Sequence, residues 1–364
     1  MVDSSQSIQA EQLKPPITRI GVIGWLRANL FSSVFNSVLT IVTLYLLWKI
    51  VPAFVRWAFI DSSWNTTGAA CRAAGGACWS IVAKNFRFII FGFFPYESQW
   101  RPLVAMIILF ILLLLSSNRR FWKKSLGYAW LVGLISMGLL LKGGLFGLSS
   151  VDSTKWSGLP LTLLLSVFGL TAAYPLGVAL ALGRQSRMPG IKSLCIVYIE
   201  TIRGVPLISL LFMSSVMFPL FLPEGITINN ILRAQVAIIL FTAAYIAEVV
   251  RGGLQAIGRG QYEAAESMGL NYSQKMRLII LPQALKIVIP PTVGILISAF
   301  KDTSLVVIIG LYDLLKTTQS TLSDPRWMGF SVEAYIFIAL IYFAGCFSMS
   351  SYSRRLEREL YRGN

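Results

Sequence analysis

The chain has 364 residues, of which 55% are hydrophobic and 13% are charged, and its mean hydropathy is +0.67. Soluble chains carry about 25% charged residues, so this composition excludes a water-soluble globule and predicts an all-α integral membrane protein. The net charge of +16 comes from Lys and Arg placed between apolar runs, a distribution typical of membrane loops that argues against nucleic-acid binding.

Apolar runs that approach or reach the roughly 20 residues needed to cross a bilayer predict about eight transmembrane helices. They are 30–54, 103–115, 126–141, 159–182, 194–222, 231–250, 287–311 and 332–349. No small-residue cleavage pattern follows the first run, so we expect that run to be retained as a membrane span. The aromatic segment 85–95 is too short to span, and we expect it at the membrane interface.

The stretch 142–158, rich in Gly and Ser, divides the chain into two predicted parts. Residues 1–157 form an N-terminal extension with about three spans and a long outer loop, and residues 158–364 form a five-span module. Basic residues follow the second, fourth and sixth spans and end the chain at Arg362. The positive-inside rule then predicts that both termini are cytoplasmic, although the long loop 55–101 carries basic residues on the other side.

Four cysteines and the absence of His limit the possible chemistry. Without His there is no His-based triad and no His-ligated metal, and we predict neither catalytic residues nor a metal site. Cys195 and Cys346 lie in apolar runs and are expected to pack inside the protein. Cys71 and Cys78 share the loop assigned to the outside, where disulfides form, and the sequence leaves open whether they are bonded.

The polar segment 252–286 is predicted to be a cytoplasmic loop that contains two short helices. Good helix formers occupy 261–268, with Ala264, Ala265 and Met268 on one side, and Gly269 can supply the positive φ that ends a helix. A second helix, 273–281, is expected to stop at Pro282. Physical chemistry alone allows two interpretations: a knob that seats in a groove on a soluble partner, or an amphipathic loop on lipid headgroups.

The spacing of Glu263-Ala264-Ala265, Gly269 and Leu281-Pro282 resembles the EAA motif of ABC importer permeases. In that family the motif forms the coupling helix that docks into the ATP-binding subunit. The resemblance implies this ATPase-coupling role for the six residues of the motif in this chain.

Four further segments are similar to the polar amino acid ABC importer permeases: 158–162, 199–207, 244–252 and 301–305. The N-terminal extension, with 93–96 and 100–102, further resembles the longer permease subunit of general L-amino acid ABC transporters. The resemblance implies a type I ABC importer permease core in the last five spans and a location in the bacterial inner membrane. It also implies a second homologous permease as heterodimer partner, an ATPase dimer that binds ATP and Mg, an extracytoplasmic amino-acid-binding protein and an amino acid substrate.

This chain lacks a P-loop motif of its own, so it is predicted not to be an enzyme and to hold no cofactor. The alternative hypothesis is an ion- or proton-driven secondary transporter, which would need no ATPase. Such transporters often contain internal repeats, and the halves of this sequence show no convincing repeat.

Ionisable residues inside the predicted spans are candidates for the transport path. Asp302 lies roughly 22 Å into its span and, with Thr303 and Ser304, offers a carboxylate and hydroxyls suited to an amino acid. Two other roles remain open for Asp302: a structural pair with Lys301, or contact with the partner permease. Gly294 stands where the family commonly has Asn, which removes a polar group from this path.

Two pairs of opposite charge are spaced three residues apart on a helix face: Glu200 with Arg203, and Glu248 with Arg251. They are expected to be salt-bridged helix ends that fix the bundle or its inner gate. Gly204 and Pro206 predict an irregularity in the span that follows the first pair. Gly258 stands where the family commonly has Pro, at the entry to the coupling segment.

Overall fold

The structure is a computed structural model that describes residues 21–145 and 147–361. The start of the chain and Arg362, both used above to predict orientation, lie outside the described residues. The described residues are helical with no named strand, which confirms the predicted all-α fold. The chain divides into two compact units, Met1–Cys78 and Trp79–Asn364.

The first unit contains one long apolar helix. Its elements are α1 (Gly21–Asn29), α2 (Val34–Val55), a π-helical turn (Arg56–Ile60) and α3 (Gly68–Ala74). Ser33 caps α2 by accepting a hydrogen bond from the Asn36 N–H at 3.1 Å. No residue of α2 is buried, and the helix is apolar on all sides. A helix of this kind is solvated by lipid, as expected for the first predicted span.

A disulfide between Cys71 and Cys78 closes the segment that follows α2. Both cysteines are buried within their unit, at 1% and 0% exposure. The Ala77 N–H donates to the Trp57 carbonyl at 2.9 Å, and the Ser63 N–H donates to the Ala77 carbonyl at 2.8 Å. These bonds tie the disulfide loop to the end of α2.

The second unit holds the remaining spans. Its helices are α4 (Ser80–Phe91), α5 (Trp100–Ser117), α6 (Lys124–Lys142), α7 (Gly158–Arg184), α8 (Pro189–Gly204), α9 (Leu207–Phe212), α10 (Asn230–Ala256), α11 (Arg259–Ser267), α12 (Tyr272–Lys275), α13 (Leu281–Asp302), α14 (Leu314–Leu322) and α15 (Ser331–Tyr361). Across the described residues of both units, seven helices are long and apolar enough to cross a membrane, or eight if one bent pair is a single span. The predicted number of spans is confirmed.

The bent pair is α8 and α9, whose axes differ by 105°. The break falls at Val205-Pro206, where the backbone is extended and Pro206 has no N–H to donate. This is the irregularity that the sequence predicts at Gly204 and Pro206. After α9 the chain continues as a π-helical turn and a 3₁₀ turn that ends at Phe221.

The segment 85–95 packs against other helices, and its predicted position at the membrane interface stays a prediction. Most of it belongs to α4, which packs against α7, α14 and α15 and buries Ile81, Ile89 and Ile90. Gly158 at the start of α7 has a φ of +70° and lies directly against the Ile90 carbonyl, so a Cβ there would clash with the backbone. Only Gly suits both the dihedral angle and this close approach.

The predicted loop 252–286 is shorter in the structure. Helix α10 continues to Ala256, because Gly253 lets it approach Val288 and Ala284 of α13 more closely than a side chain would permit. Helix α12 then begins with a capping box formed by Asn271 and Gln274. The connection between the two spans is therefore 257–271.

Pro282 does not end a helix, contrary to the prediction. The chain runs from α12 through a π-helical turn, Met276–Ile280, directly into α13, and Pro282 occupies the first turn of α13. Pro282 lacks an N–H and its ring would clash with the preceding turn of a regular α-helix, and the wider π-helical turn before it accommodates the ring. The span is thus continuous from Tyr272 to Ile309.

The spans α5 and α6 belong to the same compact unit as the last five spans. The fully buried Arg101 in the first turn of α5 donates to the carbonyl of Leu140 at 2.7 Å and to that of Ser149 at 2.9 Å. It thereby satisfies carbonyl groups at and after the C-terminal end of α6. The two compact units of the structure meet at Cys78 and Trp79. The division at residue 157 into an extension and a transport core stays a prediction.

Asp313 is buried at 0% exposure and caps α14. Its carboxylate accepts hydrogen bonds from the N–H groups of Lys316 at 2.9 Å and Leu315 at 3.2 Å, and from the Tyr342 hydroxyl at 3.4 Å. Burial raises the pKa of Asp313 to about 6, with these hydrogen bonds opposing the rise.

The raised pKa of Asp313 predicts a pH-dependent stability. The folded state holds the proton more tightly than the unfolded state, so this contribution is complete below the ordinary pKa of 3.8 and is lost as the pH rises through about 6. The loss amounts to roughly 3 kcal/mol in the free energy of unfolding. Thermal unfolding in mild detergent should show wild type losing stability relative to Asp313→Asn between about pH 4 and 6.

Asp313→Ala is the control for the capping role. It removes the cap as well as the charge and should lower stability by about 1 kcal/mol more than Asp313→Asn at every pH. Parallel pH curves for wild type and Asp313→Asn would contradict the assignment.

Candidate functional site

Helix α11 presents on its surface part of the segment that resembles the EAA motif. Ala265 is fully buried, whereas Glu263, Ala264 and Met268 are exposed. The structure therefore separates the two alanines that the sequence places on one side of the helix. Gly269 ends the helix with a φ of +74°, as its position predicts.

Three polar contacts hold α11 against the bundle. Lys275, only 8% exposed, forms an ion pair with Glu266, and this bond holds the pKa of the Glu266 carboxyl below its usual range. The Tyr262 hydroxyl donates to the Leu254 carbonyl at 3.2 Å, and the Gln283 side chain donates to Gln261 at 3.1 Å. These contacts fix the position of α11, and with it the position of its exposed residues.

The C-terminal residues of the motif have a different environment. Leu281 is half-buried and packs on the core cluster that includes Ile280 and Ala284, while Pro282 is exposed at the start of α13. Leu281 thus contributes packing between the motif and the bundle.

Glu248 on α10 is the centre of an ion network at the end of the bundle where α11 lies, which we call the α11 end. It contacts Arg251 on its own helix, Arg184 of α7 at 3.3 Å and Arg203 of α8 at 3.4 Å. Arg184 also contacts Glu200 of α8 at 2.9 Å. The network therefore joins three helices.

This arrangement confirms one predicted pairing by geometry and corrects the other. Glu248 does pair with Arg251, but Glu200 pairs with Arg184 and not with Arg203. Arg203 contacts Glu248 instead, because α8 packs against α10 and brings that opposite charge within reach. The role of Arg184 in this network was not predicted, because the sequence shows it only as one of the basic residues after the fourth span.

A cavity of about 390 Å³ lies between α10 and α13, and Asp302 is part of its wall. The other lining residues are Leu207, Ile238, Phe241, Thr242, Tyr245, Pro291, Gly294, Ile295, Ser298 and Ala299. The Ser298 hydroxyl donates to Asp302 at 3.4 Å. The cavity thus offers one carboxylate and three hydroxyl-bearing side chains, Thr242, Tyr245 and Ser298, on a largely apolar surface.

Thr303 and Ser304 do not line this cavity. The Thr303 hydroxyl donates to the Phe300 carbonyl at 2.7 Å, and the Ser304 hydroxyl donates to the Lys301 carbonyl at 2.8 Å. Both belong to a 3₁₀ turn after α13, where side-chain hydroxyls bond back to the preceding turn. Among the described residues, Lys301 and Asp302 form no ion pair.

Helix α10 links the three parts of the site. Tyr245 lines the cavity, Glu248 follows one turn later, and Leu254 accepts the hydrogen bond from α11. The Arg203 guanidinium lies 5.7 Å from the centre of the Tyr245 ring, so the ion network reaches the cavity wall. The segment 244–252, identified by resemblance alone, contains both Tyr245 and Glu248.

Comparison with known proteins agrees with this arrangement. Residues 173–361 match the family model described as the binding-protein-dependent transport system inner membrane component. The chain is 48% identical over 347 residues to the inner membrane amino-acid ABC transporter permease protein YhdY of Escherichia coli, covering 93% of each chain. It is 39% identical to the glutamate/glutamine/aspartate/asparagine transport system permease protein BztC of Rhodobacter capsulatus, covering 98% of each.

Among solved structures, the chain is similar to a crystal structure of an amino acid ABC transporter with histidines. The TM-score is 0.50 and the identity 33%, and the match covers 56% of this chain and 92% of the other. A shorter permease thus corresponds to little more than half of this chain, which is compatible with an N-terminal extension.

The ion network predicts unequal effects for its two glutamates. Glu248→Gln leaves three arginines without their shared counter-charge, and we expect it to lower the free energy of unfolding by about 2 kcal/mol. Glu200→Gln removes a single contact of a side chain that is 55% exposed and should cost less than about 0.5 kcal/mol. Thermal unfolding of the two purified variants measures both effects, and equal losses would argue against Glu248 as the centre.

Proposed function

Because this chain belongs to the family of inner-membrane components of binding-protein-dependent transport systems, we propose that it forms the translocation path of an ATP-driven amino-acid importer and is moved by a separate ATPase through α11. It is a permease subunit of an amino-acid ABC transporter, a transport component and not a catalyst. The main support for the coupling role is that Glu263 and Ala264 are exposed on α11. The helix itself is held to the bundle by the buried Ala265 and by the ion pair between Lys275 and Glu266.

The proposed coupling uses a mechanical connection through α10. An ATPase subunit that contacts α11 would displace Tyr262 and the Glu266–Lys275 pair, which are bonded to α10 and to the span that starts at Tyr272. The same two spans form the cavity wall at Tyr245 and Asp302. A force applied at α11 is thus transmitted to the proposed substrate path by rigid helices, and the two states differ in the contacts made there.

The cavity at Asp302 is the proposed substrate path. A carboxylate attracts the α-ammonium group that all amino acids share, and the apolar wall leaves room for side chains of different size. Gly294 lines the same cavity without contributing a polar group.

The proposed assembly contains an ATPase dimer that binds ATP and Mg, a second homologous permease and an extracytoplasmic amino-acid-binding protein. We place both termini in the cytoplasm of a bacterium, with the chain in its inner membrane. Basic residues at the α11 end, among them Arg187, Arg251 and Lys275, support this orientation by the positive-inside rule. An active carrier that purifies without any nucleotide-binding subunit would instead favour a secondary transporter.

The coupling role predicts that bulk on the exposed face of α11 uncouples the transporter. Ala264→Arg should leave the fold intact, because the side chain is exposed, and should reduce uptake and uptake-linked ATP hydrolysis at least about tenfold by blocking the docked partner. Ala256→Arg adds the same group at an exposed position outside α11 and is the control. Normal coupled uptake by an assembled Ala264→Arg complex would refute the coupling role.

The substrate path predicts a difference between Asp302 and Ser304. Asp302→Asn removes the only charge on the cavity wall and should lower uptake at subsaturating substrate by about tenfold or more, with complex assembly unchanged. Ser304→Ala should have little effect, since that hydroxyl is bonded to the Lys301 carbonyl. Uptake across a range of amino acid concentrations distinguishes the two, and equal behaviour would remove Asp302 from the path.

A further inference from the structure

A second cavity, of about 760 Å³, lies at the end of the second unit opposite the α11 end. It is enclosed by the C-terminal end of α6, the N-terminal parts of α7 and α10 and the chain between α6 and α7. It is separate from the residues around Asp302 and from the ion network. Its volume is about twice that of the Asp302 cavity.

The wall of this cavity is polar at its mouth and apolar at depth. The polar mouth is formed by Lys142, Ser150, Asp152, Ser153, Lys155 and Asn229. Leu164 and Phe168 line it further along α7, and Phe168 lies about 15 Å along the helix axis from Gly158. Leu232 in the first turn of α10 also lines the cavity and is 55% exposed. The order of charge followed by apolar wall is that of a headgroup and an acyl chain at a membrane surface.

Two buried polar atoms in the wall lack hydrogen-bond partners within residues 21–145 and 147–361. They are the indole N–H of Trp156 and the side-chain carbonyl oxygen of Gln235. Gln235 is 8% exposed, and its amide nitrogen donates to the Leu165 carbonyl at 3.3 Å, which fixes the orientation of the side chain. An unpaired donor and acceptor are costly inside a membrane, so an occupant should supply one acceptor and one donor.

The charges at the mouth favour an anion. Lys142 and Lys155 are exposed, and Asp152 is the one carboxylate among the lining residues that the structure describes. The N–H and the hydroxyl of Thr154 both donate to its Oδ1 at 2.8 Å. Two positive charges against one negative charge leave the mouth positive, which attracts a phosphate near the membrane surface.

We propose that this cavity binds an anionic glycerophospholipid. Lys142 and Lys155 hold the phosphate, the Trp156 N–H donates to an ester carbonyl, and the Gln235 oxygen accepts a hydrogen bond from a headgroup hydroxyl. One acyl chain lies along Leu164 and Phe168. An amino acid would satisfy the polar atoms but would leave the apolar part of so large a cavity empty.

The bound lipid would stabilise the contact between the extension and the core. The walls from α6 and from the chain that follows it belong to the predicted extension, and the others belong to α7 and α10, so the site is complete only in a chain that carries both parts. The proposal depends on membrane residence and does not depend on the proposed transport function.

Native mass spectrometry of the intact transporter complex, reconstituted with defined lipids, tests this site. Gly138→Leu fills the cavity, because Gly138 is in its wall and an added Cβ meets nothing within 4 Å. Gly127→Leu is the matched control on the same helix, where an added Cβ also meets nothing within 4 Å. We expect Gly138→Leu to reduce retained phosphatidylglycerol about tenfold and Gly127→Leu to match wild type.

A second comparison tests the headgroup. Lys142→Gln with Lys155→Gln should reduce the preference for phosphatidylglycerol over phosphatidylcholine of the same chain length by about tenfold or more. Equal lipid retention by Gly138→Leu and Gly127→Leu would overturn the proposal. So would binding of glycerol phosphate as strong as that of phosphatidylglycerol, or lipid bound by the isolated chain and absent from the complex, which would mean that a partner subunit fills the cavity.

Discussion

The close approach of α10 to its neighbours is the constraint on which the second unit depends. Gly177 of α7 faces Ile246 of α10, and Gly253 of α10 faces Val288 of α13, at distances that leave no room for a side chain. Lipid provides no hydrophobic force between helices, so packing at small residues must supply the attraction. Because α10 is held on both sides, the cavity at Asp302, the ion network and the seat of α11 have fixed positions along one helix.

The features predicted best from the sequence are those that depend on local composition. Length and hydropathy identify the spans, Pro206 identifies the bend, and Gly269 identifies the end of α11. The features that were missed depend on contacts between distant segments. Glu200 lies three residues from Arg203, yet Arg184 of another helix takes its charge, and no single-sequence spacing encodes that choice. The helical residues 252–256 were predicted as loop because Gly252 and Gly253 are typical of loops. Their helical conformation becomes understandable only from the close packing of Gly253 against Val288 of α13.

In the candidate site, too, local features were predicted and contacts between distant segments were not. Asp302 was found because a carboxylate in an apolar run is costly, whereas Phe241 and Tyr245 resemble ordinary core residues until the cavity is visible. Thr303 and Ser304 were assigned to the path because they adjoin Asp302, but a 3₁₀ turn directs their hydroxyls to backbone carbonyls. The motif residues on α11 were recognised by resemblance, and the structure adds which of them face outward.

The π-helical turn at Met276–Ile280 sets the angular register of α13. A π turn adds one residue to a helix, and one residue corresponds to about 100° of rotation around the axis. The side chains from Leu281 onward, including Asp302, are therefore rotated about the helix axis relative to those of α12. The spacing between Gly269 and Leu281-Pro282 in this chain includes that extra residue, so it sets the rotation of Asp302 about the axis of α13.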